Sequence, residues 1–116
     1  MKKIYRIKKN TEIEELVKKK KSVGNKYFVI YYAPNKHEHF RFCVSVSKKY
    51  GIAVERNRIK RQIRAILAAK MNYYAKTDFL VAIKVSSKGL SFDMIEENIN
   101  YLLKKSGIMR REKHEE

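Results

Sequence analysis

Asp78 to Val85 reads DFLVAIKV, a segment apolar at consecutive positions in a chain of which 34% of the residues are charged. A strand with one wet face alternates, whereas a strand apolar on both faces has to lie inside a sheet, flanked by neighbours and covered above and below. The rest of the chain must supply that sheet. KYFVIYYAP follows Gly24, is rich in β-branched and aromatic residues, and stops at the single proline, Pro34, so it reads as a strand. FRFCVSVS alternates strictly, with Phe40, Phe42, Val44 and Val46 on one face and Arg41, Cys43, Ser45 and Ser47 on the other. Only the polar NKHEH separates the two, and the simplest expectation is an antiparallel hairpin.

Three segments carry helical periodicity. In TEIEELVKKKK, Thr11 and Glu14 have the spacing of a capping box, and Ile13, Leu16 and Val17 share a stripe, which predicts a helix over Thr11 to Lys20. The Lys18 to Lys21 run then lies at its C-terminal end, serving either the helix dipole or a phosphate. A second helix is predicted over Val54 to Lys70. A third begins after the N-cap Ser91, with Asp93, Glu96 and Glu97 near its start, an apolar face of Ile95, Ile99, Leu102 and Leu103, and an end before Gly107. The order helix, strand, strand, helix, strand, helix, with room for one further strand, predicts an α/β (α+β) two-layer sandwich around a small mixed sheet. At 116 residues the chain suits one domain, 1–116, ordered from about 5 to 106 with a loose tail over 107–116.

The charge narrows the function. Lys and Arg number 28 against 12 Asp and Glu, a net +16, and so one-sided a charge calls for a polyanion, nucleic acid before membrane. No apolar run approaches the roughly 20 residues that span a bilayer, and the basic MKKIYRIKKN lacks the apolar stretch of a secretory signal, so a cytoplasmic chain is expected. Zinc-protease, P-loop and nucleophile-elbow motifs are absent, and no carboxylates pair in a recognisable acidic cluster. His37, His39 and Cys43 match no trusted metal spacing, and no metal site is assigned. Cys43 either borders a cleft or fills a small space.

The second helix decides what kind of polyanion. At 3.6 residues per turn, Ile59, Ile63, Ile66 and Leu67 form a core stripe, while Arg56, Lys60, Arg64, Asn57 and Arg61 form a band about 140° wide beside it. Arg58 lies away from the centre of the core stripe. A helix needing only solubility interleaves acids at i,i+4, yet Glu55 is the one acid from Ala53 to Lys70. Arginine grips phosphate bidentately where Lys60 offers a mobile point charge. Asn57 serves either to bond a hydroxyl, a base edge or a backbone group, or to cap the helix start.

SVSKKYGIAVERNRIKRQIR resembles the signature of the protein subunit of bacterial ribonuclease P: Ser47, Lys48 and Lys49, then Ala53 and Val54, then Arg56, Asn57, Arg58, Lys60, Arg61 and Arg64. Element order follows the family from about Tyr5 to Leu103. The resemblance implies a ribosomal protein S5 domain 2-like fold with a left-handed β-α-β crossover. It also implies a partnership with a large catalytic RNA, one protein to one RNA, that removes the 5′ leader from precursor tRNA. There the RNA and its Mg²⁺ do the chemistry, and no protein side chain is catalytic. Lys48, Lys49, Arg56, Asn57, Arg58, Lys60, Arg61 and Arg64 would face the catalytic RNA. A cleft between the first helix and one sheet face would hold the single-stranded leader, with Ile13, Val17, Tyr31, Tyr32 and Arg41 as the contacts. Family members often carry aromatics where this chain has Ile13 and Val17, so Tyr31 is the expected stacking platform and Phe28 is assigned to the core. A basic ribosomal or RNA-chaperone protein without a substrate role is the alternative, and a nuclease acting alone a third reading.

Overall fold

The computed structural model describes residues 3–19 and 21–110. Among these, helix α1 (Asn10–Lys18) precedes strands β1 (Ser22–Gly24), β2 (Phe28–Pro34) and β3 (Arg41–Val46). Helix α2 (Ala53–Ala69), strand β4 (Thr77–Ile83) and helix α3 (Phe92–Ser106) complete the order. The architecture is the expected α+β fold on a mixed sheet, whose strand order is β1-β2-β4-β3.

β4 lies in the sheet interior, antiparallel to β2 and parallel to β3. The expected hairpin is thereby corrected: β2 and β3 run in opposite directions but do not pair, because β4 sits between them. The reason is that β4 is apolar on both faces. Phe79, Leu80, Val81 and Ile83 are all buried, and a paired β2 and β3 would have left this strand at an edge. Asn35 holds the resulting connection open, its Nδ2 donating to Asp78 Oδ1 at 2.8 Å and to the His39 carbonyl at 3.2 Å. β3 and β4 are joined through α2, giving the parallel β-α-β unit.

α2 and α3 cover one sheet face. Ile59, Ile63, Ile66 and Leu67 of α2 and Ile95, Ile99, Leu102 and Leu103 of α3 pack with Phe28, Phe42, Phe79 and Val81. Phe42 and Phe79 stack with centroids 6.0 Å apart, and Tyr74 meets Phe40 edge-on at 5.0 Å while its hydroxyl donates to the Leu67 carbonyl. Each such buried side chain contributes about 1.5–3 kcal/mol. α1 lies on the opposite face, where Leu16 and Ile13 pack with Ala33, Leu80, Tyr31 and Cys43.

Local signals were partly misplaced. α1 starts after Lys9 with no side-chain cap, so Thr11 lies inside its first turn and the expected capping box is not formed. Glu12, in the same turn, is directed to Arg41. Lys20, in the lysine run, lies outside the described residues. β1 had no periodicity to announce it, being three residues long. The expected loose tail also begins too early: Gly107 turns left-handed at φ 86°, Ile108 and Met109 are buried, and Arg110 N–H donates to the Tyr73 carbonyl at 2.7 Å. A left-handed glycine followed by an apolar pair closes the helix end by a contact too short to register as periodicity. Residues 111–116 of the expected tail lie outside the described residues.

Candidate nucleic-acid interface

The loop before α2 fixes the geometry of its basic side. Lys48 to Tyr50 make one turn of 3-10 helix, with Tyr50 buried as an anchor and Lys48 and Lys49 exposed. Glu55 then uses its carboxylate locally: Oε1 accepts the Ile52 N–H at 3.1 Å and lies 3.4 Å from Lys88 Nζ. Glu55, and not Asn57, satisfies the helix start; Asn57 falls beyond the first turn and is exposed. Arg56 Nε donates to the Gly51 carbonyl at 3.1 Å, which ties its guanidinium to the loop.

Beyond Glu55 no acid interrupts α2. Arg56, Lys60 and Arg64 are half-buried along the edge of the core stripe, and Asn57, Arg58 and Arg61 are exposed. The stripe Ile59, Ile63, Ile66 and Leu67 is at most 2% exposed, so the basic side is anchored to the rigid core. Arg58 reaches the far flank of the helix, in a groove shared with Gln62, Lys88 and Tyr50. At the other end, burial and then the charge of Arg6 hold the Arg64 guanidinium below its ordinary range. Arg6 stands on the N-terminal segment, near enough for its charge to be felt at Arg64. That segment lies along β3, where Ile7 N–H donates to the Phe42 carbonyl at 2.9 Å.

The α1 face is built differently. Arg41 Nε and Nη2 donate to the two carboxylate oxygens of Asp78 at 3.0 and 2.6 Å, and Nη2 also reaches Glu12 at 3.1 Å. One guanidinium thereby joins β3, β4 and α1. Burial raises the Asp78 carboxyl, but hydrogen bonds from Arg41 and Asn35 and the Arg41 charge outweigh it and hold the group below the usual carboxylate range. Burial, with the Asp78 charge, pushes the Cys43 thiol up to about 12, so Cys43 is a neutral filler among Leu80, Ile13 and Tyr31.

Of the residues expected at the leader cleft, Ile13, Tyr31 and Arg41 come together on the α1 face, with Val17 at its exposed flank. Tyr32 does not join them: it packs against the α2 and α3 core from the other side of β2, beneath the Lys21 ammonium at 5.7 Å. Adjacent strand residues point to opposite faces, so Tyr31 and Tyr32 exclude each other from one cleft. Sequence reading missed Arg6, whose place depends on a bridge to β3, and the Glu12–Arg41–Asp78 brace, whose members are far apart in the chain. The one signal for the brace was a charged residue at the start of each of two strands. Among the described residues no three or more His, Cys, Asp or Glu gather as a metal site, and no helix is long and apolar enough to cross a membrane.

Fold and surface together define a class: a small α+β module with a one-sided cationic helix backed by a hydrophobic core. Comparison with known proteins gives the family. The ribonuclease P family model matches residues 1–107. The chain is 43% identical over 113 residues to the ribonuclease P protein component of Acholeplasma laidlawii, covering 97% of each. It is 38% identical to that of Streptococcus agalactiae, covering 94% of this chain and 100% of the relative. Its fold superposes on the RNase P protein of Staphylococcus aureus with a TM-score of 0.87 at 37% identity, covering 91% of this chain and 98% of the other. For the Thermotoga maritima protein the TM-score is 0.79 at 27% identity, with 86% and 96% covered. The chain belongs to the ribonuclease P protein family, and with it to the ribonucleoprotein machinery of tRNA processing.

Proposed function

We propose that this chain docks through α2 onto a catalytic RNA and uses its α1 face to hold the 5′ leader of precursor tRNA, so that the one-to-one particle hydrolyses the phosphodiester at the leader junction in the cytoplasm. The observation that carries the reading is the acid-free face of α2, where Arg56, Lys60, Arg61 and Arg64 stand beside a fully buried stripe. Lys48 and Lys49 extend it at the helix start, and Arg58 at the far flank. A rigid array of this kind matches phosphates at fixed positions, as a folded RNA presents them, better than those of a random coil.

On the α1 face, Tyr31 offers the stacking surface and Ile13 and Val17 the apolar wall, while Arg41 acts indirectly by bracing α1 on the sheet. Tyr32 is withdrawn from the leader set by its position. Glu12 and Asp78 are turned on Arg41, and Glu55 on the Ile52 N–H and Lys88, and among the described residues no three carboxylates gather as a metal site. In this reading Mg²⁺, and the chemistry with it, belong to the RNA partner.

Mixing the chain with its cognate RNA and precursor tRNA at limiting Mg²⁺ tests the reading. Cleavage should rise well above that of RNA alone, and the assembled particle should bind leader-bearing tRNA more tightly than mature tRNA. Equal affinity for the two would instead fit a charge-driven RNA chaperone with no substrate role.

A further inference from the structure

A shallow depression of about 450 Å³ opens between the N-terminal segment, the start of α1 and the 35–40 connection, rimmed by Lys3, Arg6, Lys8, Lys9, His37 and His39. Its one acid is Glu12, which is already engaged by Arg41 at 3.1 Å. Among the described residues, Lys3, Arg6, Lys8 and Lys9 form no ion pair. Packing does not account for the lysines either, since Lys3, Lys8 and Lys9 are exposed. Clustered cations without acids repel one another, and a phosphate relieves the repulsion.

Position identifies the phosphate. On the α1 face, Arg41, Asp78 and Ala33 make one row across the sheet, and Cys43, Leu80 and Tyr31 make the next, two residues along. Two residues of strand span about 7 Å and two strand spacings, from β2 across β4 to β3, about 10 Å, so Tyr31 and Arg41 are roughly 12 Å apart. The depression includes Arg41, so a base stacked on Tyr31 leaves the backbone one or two nucleotides further along within reach of it. The α2 surface, by contrast, belongs to the opposite face of the sheet.

We infer that this depression is a second phosphate site, holding a phosphodiester of the single-stranded leader one or two nucleotides along from the base on Tyr31, with Arg6 as the fork and Lys8 and Lys9 as mobile countercharges. The inference rests on the leader reading given under the proposed function. It assigns substrate affinity, and not assembly with the catalytic RNA, to the N-terminal segment.

The test uses the reconstituted holoenzyme and precursor tRNAs with long, short or no leader, their affinities measured against salt for the wild type and for Arg6→Gln/Lys8→Gln/Lys9→Gln. The triple variant should bind the long-leader substrate about tenfold more weakly, the scale of a lost charge-assisted contact. Its slope of log affinity against log salt should shrink by about 0.7 for each single-strand phosphate released. Affinity for short-leader and mature tRNA, and assembly with the catalytic RNA, should not change. Lys8→Gln/Lys9→Gln, which leaves half-buried Arg6 in place, should lose about threefold on the same substrate. An equal loss on all substrates, a loss of assembly, or no loss overturns the site. Should the wild-type particle itself not distinguish leader-bearing from mature tRNA, the leader reading fails, and the site falls with it; discrimination that survives the substitutions rejects the site alone.

Discussion

α2 and the α1 face of the sheet both present arginines, yet the two regions use them for opposite ends. On β3, Arg41 is surrounded by Asp78 and Glu12 within 3.1 Å, its charge consumed in holding three elements together. On α2, Arg56, Arg61 and Arg64 have no acid beyond Glu55, which the helix start has claimed. The lesson is that an arginine's role follows from the nearest carboxylate: paired, it is architecture, and unpaired beside a core, its charge is left for a partner, which is the role proposed for α2.

The contrast breaks most visibly at the hydrophobic seam. Ile63→Ala, at a position with no exposure, should destabilise the fold by about 2–5 kcal/mol in denaturant unfolding and weaken RNA association with it. If association were unaffected, the basic face would not depend on the core behind it.

Asp78→Asn sharpens the other side. Leaving a largely buried Arg41 without its main partner should cost about 2 kcal/mol, below the full value for a buried pair because Asp78 keeps some exposure to solvent. Affinity for the catalytic RNA per folded molecule should stay as it was. The pH dependence has a definite sign, because a carboxyl held below its ordinary range contributes stability that is complete above about pH 5. That contribution is lost as pH falls further, through the depressed folded value. Wild type and Asp78→Asn should therefore converge in stability in strong acid; a gap that stays constant there would show that Asp78 acts through packing.

Arg64→Gln should have the smallest effect on the fold and a clear one on binding. Removing a charge that faces Arg6 should change stability by no more than a few tenths of a kcal/mol. The slope of log RNA affinity against log salt should fall by about one unit or less. An unchanged slope would mean that Arg64 touches no phosphate.

Much of this was legible because the decisive signals are local. The two-faced apolarity of Phe79 to Ile83 announced the central strand, the 3.6-residue spacing of Ile59, Ile63, Ile66 and Leu67 announced the seam, and Phe28 is in the core as expected. Strand neighbours were not legible, because alternation in β2 and β3 says which side is wet and nothing about which strand lies alongside. The same limit hid Tyr32, correctly placed in a strand but assigned to a cleft it faces away from. The bonds of Arg41 to Glu12 and Asp78 were not legible, because these partners lie 29 and 37 residues away in the chain.

The central claim is that the basic side of α2 contributes binding and not stability. The most direct measurement combines the quadruple substitution of Arg56, Lys60, Arg61 and Arg64 by glutamine with two readouts, unfolding free energy and leader removal by the reconstituted particle at limiting Mg²⁺. The account requires a folded variant, within about 1 kcal/mol of the wild type since only like-charge repulsion and surface contacts change, that no longer supports leader removal. A variant that folds and still supports it would contradict the account.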